Sequence, residues 1–128
     1  MLRAFFISLF LIFFLNLSAQ EDLLARNYMQ QGAYEKAAIL YEGLVEKTPG
    51  NTSLVNSLVE AYQQLEQYDK AQEVLLKTLA LSKSLAFLKV DLGYNYQLQS
   101  RDTEAQKLYT EILDQERDNQ PLANMVGR

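Results

Sequence analysis

The stretch VNSLVEAYQQLEQYDKAQEVL, residues 55–75, decides the fold of this chain. Its apolar residues Val55, Leu58, Val59 and Tyr62 recur at steps of three and four residues, which places them on one face of a helix. Polar residues then interrupt this pattern, and a second helical pattern follows. The stretch therefore predicts two helices joined by a short turn.

The same pattern occurs three times with a period of 34 residues. The residues that repeat are Leu24, Leu58 and Leu92, then Tyr28, Tyr62 and Tyr96, then Ala37, Ala71 and Ala105. A fixed period of this length is typical of a helical repeat array. The first helices of the three copies are predicted at 21–31, 53–65 and 86–98, and the second helices at 35–47, 69–81 and 103–116. Turns are predicted at Gln31-Gly32, Glu66-Gln67 and Ser100-Arg101, with Asp69 and Asp102 as helix N-caps.

The repeat resembles the tetratricopeptide repeat, whose pattern is W-x2-L-G-x2-Y, then A-x3-F, then P. The third copy reads K-x2-L-G-x2-Y over residues 89–96 and A-x3-Y over residues 105–109. The chain has no Trp, and only the first copy keeps its proline, Pro49. The resemblance covers residues 18–119. It implies an all-α fold, a right-handed superhelical solenoid of antiparallel helix pairs with about three repeat units and the start of a fourth.

Each repeated residue has a predicted packing role. The small Ala lets the second helix approach the first closely, and the Leu fills the gap within each helix pair. The Tyr ring is predicted to be buried between neighbouring repeats, with its hydroxyl group near a polar partner or the edge of the interface. The predicted segments are a signal peptide at 1–19, three repeats at about 20–51, 52–85 and 86–119, and the start of a fourth repeat at 120–128.

The first twenty residues have the composition of a secretory signal. Arg3 supplies a positive charge, and residues 4–15 form an uncharged run of twelve. The small residues Ser18 and Ala19 follow, so we expect cleavage after Ala19 or Gln20. The apolar run is shorter than the ~20 residues that span a bilayer. The mature protein is therefore expected to be periplasmic or secreted; the alternative is an uncleaved signal anchor in the inner membrane, the only case in which a membrane is a partner.

The composition restricts the chemistry that this chain can perform. It contains no Cys and no His, which removes thiolate and imidazole zinc ligands and the Ser-His-Asp and Cys-His catalytic arrangements. Its net charge is −4, and no run of Lys or Arg marks a nucleic-acid surface. We therefore expect a protein that is not an enzyme and has no cofactor, metal, nucleic acid or small-molecule substrate.

The resemblance implies a function as a protein-binding scaffold, because the first helices of such arrays line a concave face that holds peptides or partner proteins. The candidate residues on these helices are Arg26, Met29, Gln30, Asn56, Glu60, Gln63, Gln64, Tyr94 and Gln97. Exposed aromatic residues are enriched where binding energy concentrates, which favours Tyr94; alternatively, its ring packs against Leu98. Some family members grip a C-terminal carboxylate with two Lys, two Asn and one Arg. The matching places here hold Asp22, Arg26, Ser57, Phe87 and Asp91, so that binding mode is not expected.

Two further expectations concern the surroundings of this chain. The array is expected to continue beyond Arg128, which would make the chain the N-terminal piece of a longer protein. In that case it could be an accessory domain of a larger envelope enzyme or a secretion or assembly machine. The Phe-rich signal and the stretch at 92–99 resemble periplasmic repeat proteins of Bacteroidetes-type bacteria.

Overall fold

The computed structural model describes residues 1–82 and 86–119. Within these ranges the chain forms six helices and no strand. The helices are α1 (Leu2–Gln30), α2 (Tyr34–Lys47), α3 (Thr52–Gln64), α4 (Tyr68–Leu81), α5 (Ala86–Leu98) and α6 (Asp102–Asn119). This confirms the predicted all-α, helical-repeat fold class. The predicted start of a fourth repeat, 120–128, lies outside the described residues, and the three repeat boundaries stay predictions.

The helices fall into two compact units, the first ending at Gln67 and the second beginning at Tyr68. In the first unit α1 packs against α2, and α2 packs against α3. The buried apolar residues of this unit are Ala25, Ala37, Ala38, Tyr41, Leu44, Val55, Leu58, Val59, Ala61 and Tyr62. In the second unit α4 packs against α5, and α5 packs against α6. Its buried residues are Ala71, Leu75, Thr78, Leu88, Leu92, Gly93, Asn95 and Ala105.

The 34-residue period reappears in the backbone of the turns. Gly32, Glu66 and Ser100 adopt positive φ angles of 72°, 56° and 58°. In each turn the next residue donates its backbone N–H to the carbonyl oxygen of the repeated Tyr, at 2.8–2.9 Å. A backbone hydrogen bond that spans six residues in this way, with one residue in the left-handed conformation, is the Schellman motif that ends many helices. The three predicted turns are confirmed, and the repeated Tyr residues take part in them through their backbone.

Helix α1 is longer than predicted. The repeat pattern predicts a separate helix beginning at residue 21, but α1 runs without a break from Leu2 to Gln30. No Pro or Gly occurs between Asn16 and Glu21, so nothing in the sequence interrupts the helix. Its apolar half reaches a mean hydropathy of 2.0 and is not buried. By length and composition α1 is long and apolar enough to span a membrane, and a signal sequence near the N-terminus has the same properties.

Two predicted helix caps are wrong by one or more positions. Asp69 and Asp102 lie inside the first turns of α4 and α6, where a carboxylate is still favoured by the helix dipole. The side chain of Asn51 instead caps α3, because its Oδ1 accepts a hydrogen bond from the Leu54 backbone N–H at 3.3 Å. This cap was not among the predicted ones.

The predicted packing roles hold for the repeated Ala residues, which are at most 1 % exposed. Leu58 and Leu92 are also buried, as predicted, but Leu24 is 43 % exposed. The prediction for Leu24 is wrong because α1 packs mainly against α2, whereas the equivalent helices follow an earlier helix that they pack against. Ala25, the next residue, is fully buried in its place.

The repeated Tyr residues differ in burial. Tyr62 is buried, and its hydroxyl group donates a hydrogen bond to the Glu42 carboxylate on α2, as the predicted role requires. Tyr28 is only partly buried, with the Lys36 ammonium group 5.5 Å from its ring centroid. Tyr96 is likewise partly buried, with the Arg101 guanidinium group 4.4 Å from its ring centroid. A cation over the ring face thus replaces the deeper burial that was predicted for these two rings.

Candidate functional site

A groove with a volume of about 400 Å³ opens on the first unit, and all three of its helices contribute to it. The groove residues are Arg26, Met29 and Gln30 of α1, Tyr34 and Tyr41 of α2, and Ser57 and Glu60 of α3. The spacing of the α1 and α3 residues at three- and four-residue steps directs them to one side of each helix. We call this feature the α1–α3 groove.

Tyr41 forms the base of the α1–α3 groove. It is only 1 % exposed, because the small Ala37 and Ala38 allow α2 to pack closely with its neighbours. Burial raises the pKa of the Tyr41 hydroxyl group, and its hydrogen bond with Ser57 opposes that rise. The hydroxyl group therefore stays neutral, and Tyr41 places no charge beneath the groove.

One wall of the groove carries an internal ion pair. The Arg26 guanidinium group lies 2.7 Å from the Asp22 carboxylate, one helical turn earlier on α1. The hydrogen bond with Asp22 raises the pKa of Arg26 further above its ordinary value, so the cation persists at every physiological pH. The positive charge on this wall is therefore largely neutralised before any partner arrives.

The opposite wall carries an unpaired carboxylate. Glu60 of α3 is exposed and makes no ion pair with any residue in the described ranges. On α1, beside Arg26, the exposed Gln30 adds an amide group that both donates and accepts hydrogen bonds. Met29 and Tyr34 are partly buried and give the groove apolar surface. The groove can therefore hold an extended, partly polar chain.

The structure brings together four of the nine predicted site residues, namely Arg26, Met29, Gln30 and Glu60. The three other candidates of this unit lie on α3 outside the groove lining; these are Asn56, Gln63 and Gln64. Sequence reasoning missed three lining residues, Tyr34, Tyr41 and Ser57. Tyr41 occupies the A-x3-F position of the repeat, which indicates only an aromatic core residue, although its hydroxyl group reaches the groove.

The two remaining candidates lie on α5 of the second unit. Tyr94 is 51 % exposed. Gln97 is exposed, and its side-chain carbonyl oxygen accepts a hydrogen bond from the Tyr109 hydroxyl group at 3.1 Å. A row of exposed apolar residues runs along the same helix at steps of three and four: Phe87, Val90, Tyr94 and Leu98.

Residues 23–83 match the family described as tetratricopeptide repeat. A search of curated protein sequences found no match. Among solved structures, the chain is similar to the first tetratricopeptide-repeat domain of Spaghetti (RPAP3) bound to the HSP90 peptide SRMEEVD. The identity is 23 % and the TM-score 0.63, over 84 % of this chain and 86 % of that one.

Two MamA structures show a similar likeness. MamA AMB-1 is 20 % identical with a TM-score of 0.66, over 79 % of this chain and 60 % of that one. MamA from Desulfovibrio magneticus RS-1 is 21 % identical with a TM-score of 0.63, over 76 % and 55 %. This chain thus spans less than two thirds of the MamA chains, and identities this low establish the shared fold only. Residues 23–83 thus match the tetratricopeptide repeat family in sequence, and the similar structures share the fold of this chain.

Proposed function

We propose that this chain is a non-catalytic interaction module that holds a peptide segment of a partner protein in the α1–α3 groove. The main observation behind the proposal is the composition of that groove, in which the partly buried Met29 and Tyr34 give apolar surface beside hydrogen-bonding and charged groups. Such a surface can contact alternate side chains of an extended peptide while the polar groups bind its backbone.

The structural neighbours support a peptide as the partner. The first and second tetratricopeptide-repeat domains of Spaghetti were both solved with the HSP90 peptide SRMEEVD bound. Repeat domains of this fold are generally interaction modules without catalytic activity. The peptide chemistry differs here, because the clamp positions in the first unit hold Asp22, Arg26 and Ser57, and Arg26 is already paired with Asp22. The proposed peptide is therefore not an acidic C-terminal tail.

The proposal places this module in the cell envelope or outside the cell. The apolar half of α1, followed by the small residues Ser18 and Ala19, supports export through a signal sequence. The intact mass of the protein from its host tests this: a mass lacking residues 1–19 or 1–20 means cleavage, and a retained segment would contradict it and favour the alternative of an uncleaved signal anchor. Replacement of the small residue before the cut, Ala19→Arg, is expected to leave the segment attached.

A selection from a library of random peptides tests the binding function. The full chain is the bait, and the peptides it enriches are measured again on a variant with a blocked groove, Ser57→Arg. A matched control, Thr110→Arg, adds the same charge at an exposed site on α6 of the other unit. We expect enriched peptides that bind the control as they bind the parent chain and lose at least tenfold in affinity on Ser57→Arg. The absence of any enriched peptide would contradict the proposal.

A further inference from the structure

We infer that the peptide held in the α1–α3 groove is basic and that one of its Lys or Arg side chains pairs with Glu60. This inference rests on the function proposed above and adds the chemistry of the partner. Three observations on the first unit support it: its excess of carboxylates, the internal partners of its cations and the surface that surrounds Glu60.

Residues 20–67, which are the first unit without the expected signal peptide and its Arg3, carry unbalanced charges. From Gln20 to Gln67 the chain has three cationic side chains and seven carboxylates, a net charge of −4. The cations are Arg26, Lys36 and Lys47, and the carboxylates are Glu21, Asp22, Glu35, Glu42, Glu46, Glu60 and Glu66. A field of this sign attracts a cationic partner and repels an anionic one, which affects association rate and partner choice.

Each of the three cations already has an internal partner. Arg26 pairs with Asp22 at 2.7 Å, and Lys47 pairs with Glu21 at 2.8 Å. Lys36 lies over the ring of Tyr28. An acidic peptide would have to compete with these contacts to gain a cation. A basic peptide would meet five carboxylates that have no ion pair within the described chain, and Glu60 is the one that lines the groove.

The surface beside Glu60 suits a long cationic side chain. Lys and Arg bury an aliphatic stem along apolar surface and keep the charged head at the edge. In the groove, the partly buried Met29 and Tyr34 provide such a surface. Glu60, exposed on the wall, is placed to accept the head group. Arg26 and Asp22, as a neutral pair on the other wall, add no net repulsion.

The peptide selection described above separates this inference from the proposed function. We expect the enriched peptides to contain more Lys and Arg than the starting library. Their affinity for the full chain is then compared between Glu60→Gln and the matched control Glu46→Gln, which removes the same charge at an exposed site on α2 outside the groove. We expect about a fivefold loss for Glu60→Gln at low ionic strength and less than about a twofold loss for Glu46→Gln.

The other outcomes would overturn either the inference or the proposed function. Enriched peptides that are acidic or neutral, or basic peptides that respond equally to the two substitutions, would overturn the inference and leave the binding function intact. If no peptide is enriched at all, the proposed function fails first. Circular dichroism of both variants checks the fold, and the surface position of both residues makes unfolding an unexpected cause of lost binding.

Discussion

The guanidinium group of Arg26 lies 2.7 Å from the carboxylate of Asp22, one turn earlier on α1. This contact decides the charge of the α1–α3 groove, because Arg26 is the only cation among the described residues that line it. With Asp22 present, the groove presents a neutral pair on one wall and the Glu60 carboxylate on the other. The preference for basic peptides therefore depends on a residue that does not itself line the groove.

Asp22→Asn should weaken that preference. The substitution leaves Arg26 unpaired and free to receive a carboxylate, so the affinity for the acidic peptide SRMEEVD should rise about threefold at low ionic strength. Fluorescence anisotropy of the labelled peptide measures the change. Asp118→Asn, an exposed site near the end of α6, controls for the altered net charge. Equal changes in the two variants would mean that the Arg26–Asp22 pair does not govern peptide choice.

Gly93→Ala tests the close approach of α5 and α6. A Cβ atom at this position would lie 2.5 Å from Cε1 and 2.8 Å from Cζ of the Tyr109 ring. We expect a net cost of about 1 kcal/mol in the free energy of unfolding, because the ring must move and its hydrogen bond to Gln97 is lost. Urea denaturation measures it.

The effect of Gly93→Ala on the free energy of unfolding should change sign when the Tyr109 ring is removed first. In a Tyr109→Ala background the ring no longer opposes the new methyl group, and Ala favours a helix interior over Gly by about 0.5–1 kcal/mol. Gly93→Ala is then expected to stabilise the chain. A cost that stays the same in both backgrounds would show that Tyr109 is not the obstacle.

Substitutions at two equivalent left-handed turn residues, Ser100 and Gly32, should have opposite effects on stability. Ser100 has φ 58° and bears the steric cost of a Cβ atom in that conformation, so Ser100→Gly should stabilise the chain by about 1 kcal/mol. Gly32 has φ 72°, and a Cβ atom added there would meet nothing within 4 Å. Gly32→Ala should therefore destabilise the chain by a similar amount through backbone conformation alone. Thermal unfolding of the two variants provides the comparison, and shifts of the same sign would contradict this account of the turns.

Asp91→Asn should stabilise the chain in a pH-dependent manner. Burial raises the pKa of the Asp91 carboxyl group above its ordinary value of 3.8. The folded state therefore binds the proton more tightly than the unfolded state, and stability falls as the pH rises from 3.8 through the raised folded pKa. An uncharged Asn avoids that loss.

The melting temperatures of Asp91→Asn and the parent chain should consequently agree below pH 3.8 and separate above it, with the variant higher. Asp118→Asn, exposed on α6, should show no such separation. The burial account would be wrong if the variant were less stable near neutral pH.

The sequence predicts the helices well because the repeat specifies them three times. Periodic Leu, Tyr and Ala place five of the six helices within about four residues at each end, and the turn at Gly32 has the residue that its backbone requires. Periodicity could not predict that Leu24 stays exposed, because the three copies share one pattern although α3 and α5 pack against a preceding helix and α1, in the described part of the chain, packs mainly against α2. It also could not show that α1 continues through the expected signal boundary.

The residues of the groove could be predicted only in part, because helical spacing gives the face of a residue but not its side-chain contacts. Residues that point away from the core on α1 and α3 can be predicted from helical spacing, and four of the predicted residues, Arg26, Met29, Gln30 and Glu60, line this candidate groove. Tyr41 is a core residue by pattern and by burial, yet its hydroxyl group and Ser57 complete the groove. Ion pairs such as Arg26–Asp22 depend on side-chain conformations that residue spacing permits but does not determine.

The most direct test of the central claim is the place at which a bound peptide contacts the chain. A peptide from the selection is made with a photoreactive residue, cross-linked to the full chain, and the attachment site is located by peptide mapping. The account predicts attachment within the α1–α3 groove, at residues 26–34 or 57–60, and its loss in Ser57→Arg. Attachment confined to α5 or α6, and unaffected by Ser57→Arg, would contradict the claim that the first unit holds the partner.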